Sequence, residues 1–208
     1  METKILNIVF VIDESGSMQG SNADVIGGFN SYIDRHRNEP NARVNVSLYK
    51  FNDQINQVIT NKPVKEVDHL TDEDYFPNGF TALYDAVGLA INNTDESIEI
   101  LPMAERPTTT MMVIITDGQE NASRNYSSVA LKSTVATHEK MLNWQFIFLG
   151  ADLKNFTDAE QLGMSKQISF RKRNIASKFD TIADAGILYC LKSDAELDAN
   201  ELLNDLKD

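Results

Sequence analysis

An apolar run near the start of the chain ends in an acid, and two hydroxyls follow it at alternate positions. Residues 9–18 read VFVIDESGSM, so Asp13 is followed by Ser15 and Ser17, with Gly16 between the two serines. A carboxylate and two hydroxyls on one tight turn are hard oxygen donors held close together. Small hard cations such as Mg²⁺ bind donors of this kind, keep several waters and leave coordination positions for a partner. The segment therefore predicts a divalent-cation site at the end of a buried strand.

A second apolar run, residues 111–116, also ends in an acid and a glycine, Asp117 and Gly118. Nearly continuous apolar composition is typical of a central strand that is covered on both faces. In an open parallel sheet, ligands bind outside the carboxyl ends of the strands, near the point where the chain changes direction over the sheet. Thr81 directly precedes a predicted helix, so its hydroxyl can face the same crevice. The side chains expected to surround one point there are Asp13, Ser15, Ser17, Thr81 and Asp117.

The elements that must position these side chains follow from apolar periodicity along the chain. The predicted strands are 5–13, 44–51, 55–59, 111–116, 144–149 and 167–170, and the predicted helices are 21–37, 83–98, 129–142, 157–162 and 175–191. The short turn at residues 52–53 implies a hairpin, so the third strand runs antiparallel to the second. The alternation predicts an α/β, Rossmann-like, doubly wound fold with a mostly parallel central sheet of about six strands, flanked by helices, in which the antiparallel strand lies at an edge.

The predicted domain organisation is one domain over residues 1–193, followed by an acidic helical tail over residues 194–208. One face of that helix is apolar, and it is formed by Ala195, Ala199, Leu202, Leu203 and Leu206. Such a face predicts a helix that packs on the flank of the domain. The alternative is a docking helix for a partner.

Composition limits the classes of partner and compartment. The formal net charge of −12 argues against nucleic acid or an anionic membrane as the main partner, because both would repel the protein. Cys190, the single cysteine, cannot form an internal disulfide or a thiolate cluster and is expected in the core. The first apolar run is short, Asn7 interrupts it, and no cleavage site follows, so we expect no signal peptide and a cytoplasmic location.

The spaced donors resemble the metal-ion-dependent adhesion site (MIDAS) of the von Willebrand factor type A (VWA) domain family. That motif reads D-x-S-x-S, then a distant Thr and a distant Asp. Here it corresponds to Asp13, Ser15 and Ser17, to Thr81 within GFTALYDAV, and to Asp117 within VIITDGQEN. The resemblance covers about the first 150 residues well, and the remainder by topology only.

The resemblance implies a role for each of these residues. The hydroxyls of Ser15, Ser17 and Thr81 would bind the metal directly, while Asp13 and Asp117 would act largely through bound waters and by holding those hydroxyls. The metal, Mg²⁺ or else Mn²⁺ or Ca²⁺, would then capture a Glu or Asp carboxylate of a protein partner.

The sequence departs from the family pattern beside the motif. Phe80 stands where the family usually has a second glycine before the threonine, which adds bulk and would narrow the set of partners. Residues 18–20 do not support the adjacent second metal site of some family members. Glu14 and Glu120 match no motif position, and we expect them to be charges at the rim of the site.

The function expected from the resemblance is a metal-dependent protein-interaction module within an intracellular complex, and not an enzyme. Intracellular family members occur beside AAA+ ATPases and kinase or phosphatase modules, so partners of those kinds are expected.

Two alternatives stay open. The first is a metal-dependent phosphoester hydrolase, whose base would have to be Asp13, Glu14, Asp117 or Glu120. The second is a degenerate scaffold that binds no metal. Nucleotide-binding glycine motifs do not occur in the sequence, and its three histidines are scattered, which argues against other enzyme classes.

Overall fold

The computed structural model describes residues 4–152 and 156–191, in which strands alternate with helices. The strands are β1 (Lys4–Asp13), β2 (Ala42–Phe51), β3 (Ile55–Pro63), β4 (Thr109–Thr116), β5 (Trp144–Ala151) and β6 (Lys166–Phe170). The helices are α1 (Asn22–His36), α2 (Leu83–Glu99), α3 (Ser128–Met141), α4 (Thr157–Gln161) and α5 (Ile175–Leu191). None of the helices in these two ranges is long and apolar enough to cross a membrane.

The six strands form one sheet in the order β3-β2-β1-β4-β5-β6. Every neighbouring pair is parallel except β2 and β3, which are antiparallel, so the expected fold class is confirmed. From β1 the chain builds outward to β2 and β3, and it then crosses to the other side of β1 to form β4. The change of direction therefore lies between β1 and β4, and the carboxyl ends of these two strands border the same crevice.

Helices cover both faces of the sheet, which explains why apolar residues of β1 point to both faces and do not alternate with polar ones. One face carries Leu6, Ile8, Phe10 and Ile12 into a core shared with α1 and α5, while Val9 and Val11 enter the second core under α2 and α3. Helices α1 and α5 lie very close at Gly28, where an added Cβ would collide with the ring of Phe179. The central strands are thus fixed from both sides.

The edge strand β3 is the main difference from the predicted elements. It continues through Pro63, whereas the sequence indicated a strand only to residue 59. The register slips between Val46 and Leu48 of β2, and Asn61 takes a left-handed φ of 39°, after which pairing resumes. Local irregularity and polar edge residues hide the apolar alternation that would have marked the strand. The predicted tail over residues 194–208 lies outside the described residues.

Candidate metal centre

The first three predicted donors lie where β1 ends. Asp13 is the last residue of the strand and is fully buried, and its Oδ1 accepts a hydrogen bond from the N–H of Ser15 at 2.7 Å. A single 3₁₀ turn over Gly16–Met18 then places Ser15 and Ser17 side by side, with their Oγ atoms 3.1 Å apart. One turn therefore holds the carboxylate and both hydroxyls.

The other two predicted donors reach the same place from distant loops. Ser17 Oγ donates a hydrogen bond of 2.6 Å to Asp117 Oδ1 across a separation of 100 positions. Thr81 lies just before α2, and its backbone is paired with Asn121 on the loop that follows Asp117. Its N–H donates to Asn121 Oδ1 at 2.9 Å, and its carbonyl accepts from the Asn121 N–H at 3.0 Å. The structure thus brings all five predicted residues together.

Oxygens from two loops face one small space beside Gly118, which lies in a third loop. A Cβ added to Gly118 would lie 3.1 Å from Thr81 Oγ1, 3.4 Å from Ser17 Oγ and 3.7 Å from Asp13 Oδ2. Glycine leaves this space open among the oxygens. Mg²⁺ takes about six oxygen ligands at roughly 2.0–2.1 Å and usually keeps several waters. The donor set and the open space therefore fit a small divalent cation.

The surroundings of Asp13 favour a positive charge nearby. Burial raises the pKa of Asp13 to about 6, although hydrogen bonds from Thr116 and Ser15 oppose this rise and the neighbouring Asp117 adds to it. Thr116 Oγ1 donates to Asp13 Oδ2 at 2.5 Å, and the Tyr75 hydroxyl donates to the Asp13 backbone carbonyl at 2.5 Å. A cation beside a buried carboxylate offsets the cost of removing that charge from water.

Hydroxyls dominate this donor set. No group of three or more His, Cys, Asp or Glu side chains that would hold a metal ion occurs in residues 4–152 and 156–191. In the predicted donor set, three neutral hydroxyls accompany only two acids. A cation held by so little negative charge keeps its attraction for an outside carboxylate.

Three residues of the site were missed by the sequence reasoning. Thr116 carried a usable signal, because it is the last residue of β4 and the register that pairs Ile12 with Ile115 sets it beside Asp13. Tyr75 belongs to an irregular stretch with no such signal. Lys172 lies in a 3₁₀ turn before α5, and its Nζ forms an ion pair with Asp117 Oδ2. Nothing in the local sequence marks that contact.

Glu14 is not a rim charge, so that expectation was wrong. Its residue exposure is 6%, and its Oε1 accepts hydrogen bonds from Lys50 Nζ at 3.1 Å and from the Phe76 N–H at 2.6 Å. The Asn78 N–H also donates to the Glu14 backbone carbonyl at 2.9 Å. Glu14 therefore fastens the loop before Thr81 to the end of β1.

Glu120 likewise anchors a loop. Its Oε2 accepts the N–H of Tyr84 at 2.9 Å in the first turn of α2, and its Oε1 accepts the N–H of Ser123 at 2.7 Å. In return, Asp85 of α2 accepts backbone N–H groups of that loop at 2.8–2.9 Å, from Arg124, Asn125 and Tyr126. This exchange locks the Asp117 loop to the start of α2. Both glutamates therefore hold loops in place, whereas Asp13 and Asp117 hydrogen-bond the serines of the predicted site.

A comparison with family models matches residues 7–184 to the von Willebrand factor type A domain. This chain belongs to the VWA domain family. Domains of this family commonly mediate metal-dependent protein interactions, and they are generally interaction modules. No protein of curated function matches the sequence significantly.

Several solved structures are similar to this VWA domain. Proximal thread matrix protein 1 from the mussel byssus, with a zinc-occupied MIDAS motif, is 14% identical with a TM-score of 0.60, covering 89% of this chain and 46% of that chain. The vWF domain of the type V pili tip protein Mfa5 from Porphyromonas gingivalis is 12% identical with a TM-score of 0.61, covering 95% and 99%. This chain spans about half the length of the mussel protein, and likeness at these identities establishes the fold.

Proposed function

We propose that this VWA domain is a metal-dependent protein-interaction module that captures a Glu or Asp carboxylate of a protein partner. Its MIDAS would be formed by Asp13, Ser15, Ser17, Thr81 and Asp117. Mg²⁺ is the proposed ion, with Mn²⁺ and Ca²⁺ as alternatives. The observation that carries the proposal is the convergence of oxygens from two loops on the space beside Gly118, which itself follows Asp117 in a third loop.

The chain's own residues prepare the site before a partner arrives. The hydroxyls of Ser15, Ser17 and Thr81 would hold the ion, while the two acids orient them. Asp13 fixes the turn through the Ser15 N–H, and Asp117 accepts the hydrogen bond of Ser17 Oγ. A bound divalent cation supplies the position that an incoming carboxylate takes. Because these donors are already hydrogen-bonded to one another, little ordering cost would be left for binding.

Two exposed aromatic side chains support a partner with an apolar residue near its acid. Phe80, next to Thr81, is 69% exposed, and Phe76 on the same loop is 58% exposed. Covering one such ring contributes about 1.5–3 kcal/mol. Phe80 replaces the glycine usual in the family, so this chain would recognise an acid beside an apolar side chain.

We also propose that the partner belongs to an intracellular assembly, beside an AAA+ ATPase or a kinase or phosphatase module, and that the protein is cytoplasmic and not an enzyme. Support comes from the single cysteine, Cys190, which is buried and free in α5, and from the net charge of −12. Fractionation of the source cells tests the location.

The proposed function is tested by capture from the native extract with and without metal. Wild type and Asp13→Ala are immobilised in Mg²⁺ and in EDTA. Ser17→Ala removes one site hydroxyl, and its matched control is Ser31→Ala, an exposed serine that bonds Asp180 on the surface. We expect one partner to be retained only by wild type and Ser31→Ala in Mg²⁺.

Two other outcomes would redirect the assignment. A partner retained equally by all variants in EDTA would make the domain a scaffold that works without metal. Hydrolysis of a generic phosphoester by wild type, abolished in Asp13→Ala, would make it a metal-dependent hydrolase.

A further inference from the structure

A lysine ammonium lies against the proposed metal site. Lys172 Nζ forms an ion pair with Asp117 Oδ2 and donates a hydrogen bond of 2.6 Å to the backbone carbonyl of Ser17. The side chain of Asp117 is 2% exposed and that of Lys172 is 31% exposed, so the pair is largely shielded from solvent. The Lys172 ammonium is thus paired with Asp117, one of the two acids of the site proposed for the divalent ion.

The Lys172 ammonium and a divalent cation cannot both lie close to the Asp117 carboxylate without repelling each other. An ammonium paired with Asp117 repels a second cation that approaches the same carboxylate, and shielding from water strengthens this repulsion. Lys172 also has a flexible stem with a partly exposed end, so it can leave without unfolding the turn. The nearby Lys50 is instead held by Glu14 at 3.1 Å.

We propose that Lys172 is a built-in competitor of the divalent cation at Asp117. This inference rests on the proposed metal-dependent function and adds its regulation. In the free protein the ammonium balances Asp117. Binding of a divalent ion requires the ammonium to leave Asp117.

The competition is tested by titrating the purified chain with Mn²⁺ and counting free Mn²⁺ by electron paramagnetic resonance. We expect Lys172→Met to bind about tenfold more tightly than wild type, equivalent to ~1.4 kcal/mol. Lys172→Arg keeps the charge and should bind like wild type. Lys62→Met removes an equal charge from the distant surface pair with Asp68, and it controls for net charge. Circular dichroism melts verify folding of each variant.

Equal Mn²⁺ affinity in wild type and Lys172→Met, both weakened by Asp13→Ala, would overturn the competition but leave the proposed function standing. Binding that is absent, or indifferent to Asp13→Ala, would overturn both.

Discussion

A methyl group at Gly118 is the smallest change that fills the proposed metal position. In Gly118→Ala the new Cβ lies 3.1 Å from Thr81 Oγ1 and 3.4 Å from Ser17 Oγ. The backbone of Gly118 is not in the left-handed region, so alanine fits its conformation. The substitution should therefore block metal binding without disrupting the fold.

The substitution should change the free energy of unfolding only slightly and the metal affinity strongly. Replacing glycine by alanine at a compatible position stabilises by about 0.4–1 kcal/mol through the unfolded chain. The contact with Thr81 requires only a small shift of a hydroxyl, so we expect the free energy of unfolding to stay within about 1 kcal/mol of wild type. Changes outside the ligand shell of metal sites cost about 10- to 100-fold in affinity. A methyl group among the donors should cost about 100-fold or more.

The assay combines a urea unfolding curve without metal and a Mn²⁺ titration of the same preparation. Gly27→Ala is the matched control, because it makes the same change on the exposed face of α1, where an added Cβ meets nothing within 4 Å. It should bind Mn²⁺ like wild type. Wild-type affinity in a folded Gly118→Ala would refute the placement of the ion beside this glycine.

Other substitutions test the contact between Asp85 and the loop after Asp117, the pair of His138 with Asp95, and the exposed ring of Phe80. Asp85→Asn should lower the free energy of unfolding by about 1–3 kcal/mol in urea, since it removes a charge that three backbone N–H groups face; an unchanged midpoint would contradict the lock. Burial lowers the pKa of His138, but the hydrogen bonds to Asp95 and to the Thr134 carbonyl and the charge of Asp95 together outweigh it, so the net pKa is raised. Its stabilising pair is thus complete below the ordinary pKa of 6.5 and is lost as the pH rises through the raised value. Asp95→Asn should therefore lower the free energy of unfolding by about 0.5–1 kcal/mol just below pH 6.5, and by less above the raised pKa of His138. An equal loss at both pH values would contradict this prediction. Phe80→Gly should leave Mn²⁺ affinity unchanged but weaken partner capture by about 10- to 100-fold; undiminished capture would exclude the ring from the interface.

The elements that carry local signals were predictable from the sequence. The strands β1 and β4 are mostly apolar, and Asp13 ends the first while Asp117 follows the second, so their burial and their place at the centre of the sheet follow from composition. Ser127 starts α3 by accepting the Ala130 N–H at 3.3 Å, and a serine just before an apolar-periodic segment is a local signal for a helix start. Cys190 was expected in the core and is fully buried.

Contacts between distant loops were not predictable, because no local pattern records them. Glu14 reads as a surface acid until the fold brings Lys50 and the Phe76 N–H to it. Considered alone, Thr81 would be interpreted as a helix cap, yet α2 begins after Ala82. Glu120 from another loop accepts the N–H of Tyr84 in the first turn of α2. The motif spacing therefore predicted residues that the fold brings together, but it did not indicate the contacts that hold them in place.

The central position of β1 has a consequence for biosynthesis. Its partner β4 begins more than 100 positions later, and pairing between strands so far apart in sequence is slow. While a ribosome is still making the middle of the chain, one side of β1 has no neighbour and its apolar residues are open to aggregation or to chaperones. The three loops of the site meet only after Asp117 has emerged. Metal binding would therefore require that β4 has joined the sheet, and a chain stopped before β4 would have neither the site nor a closed core.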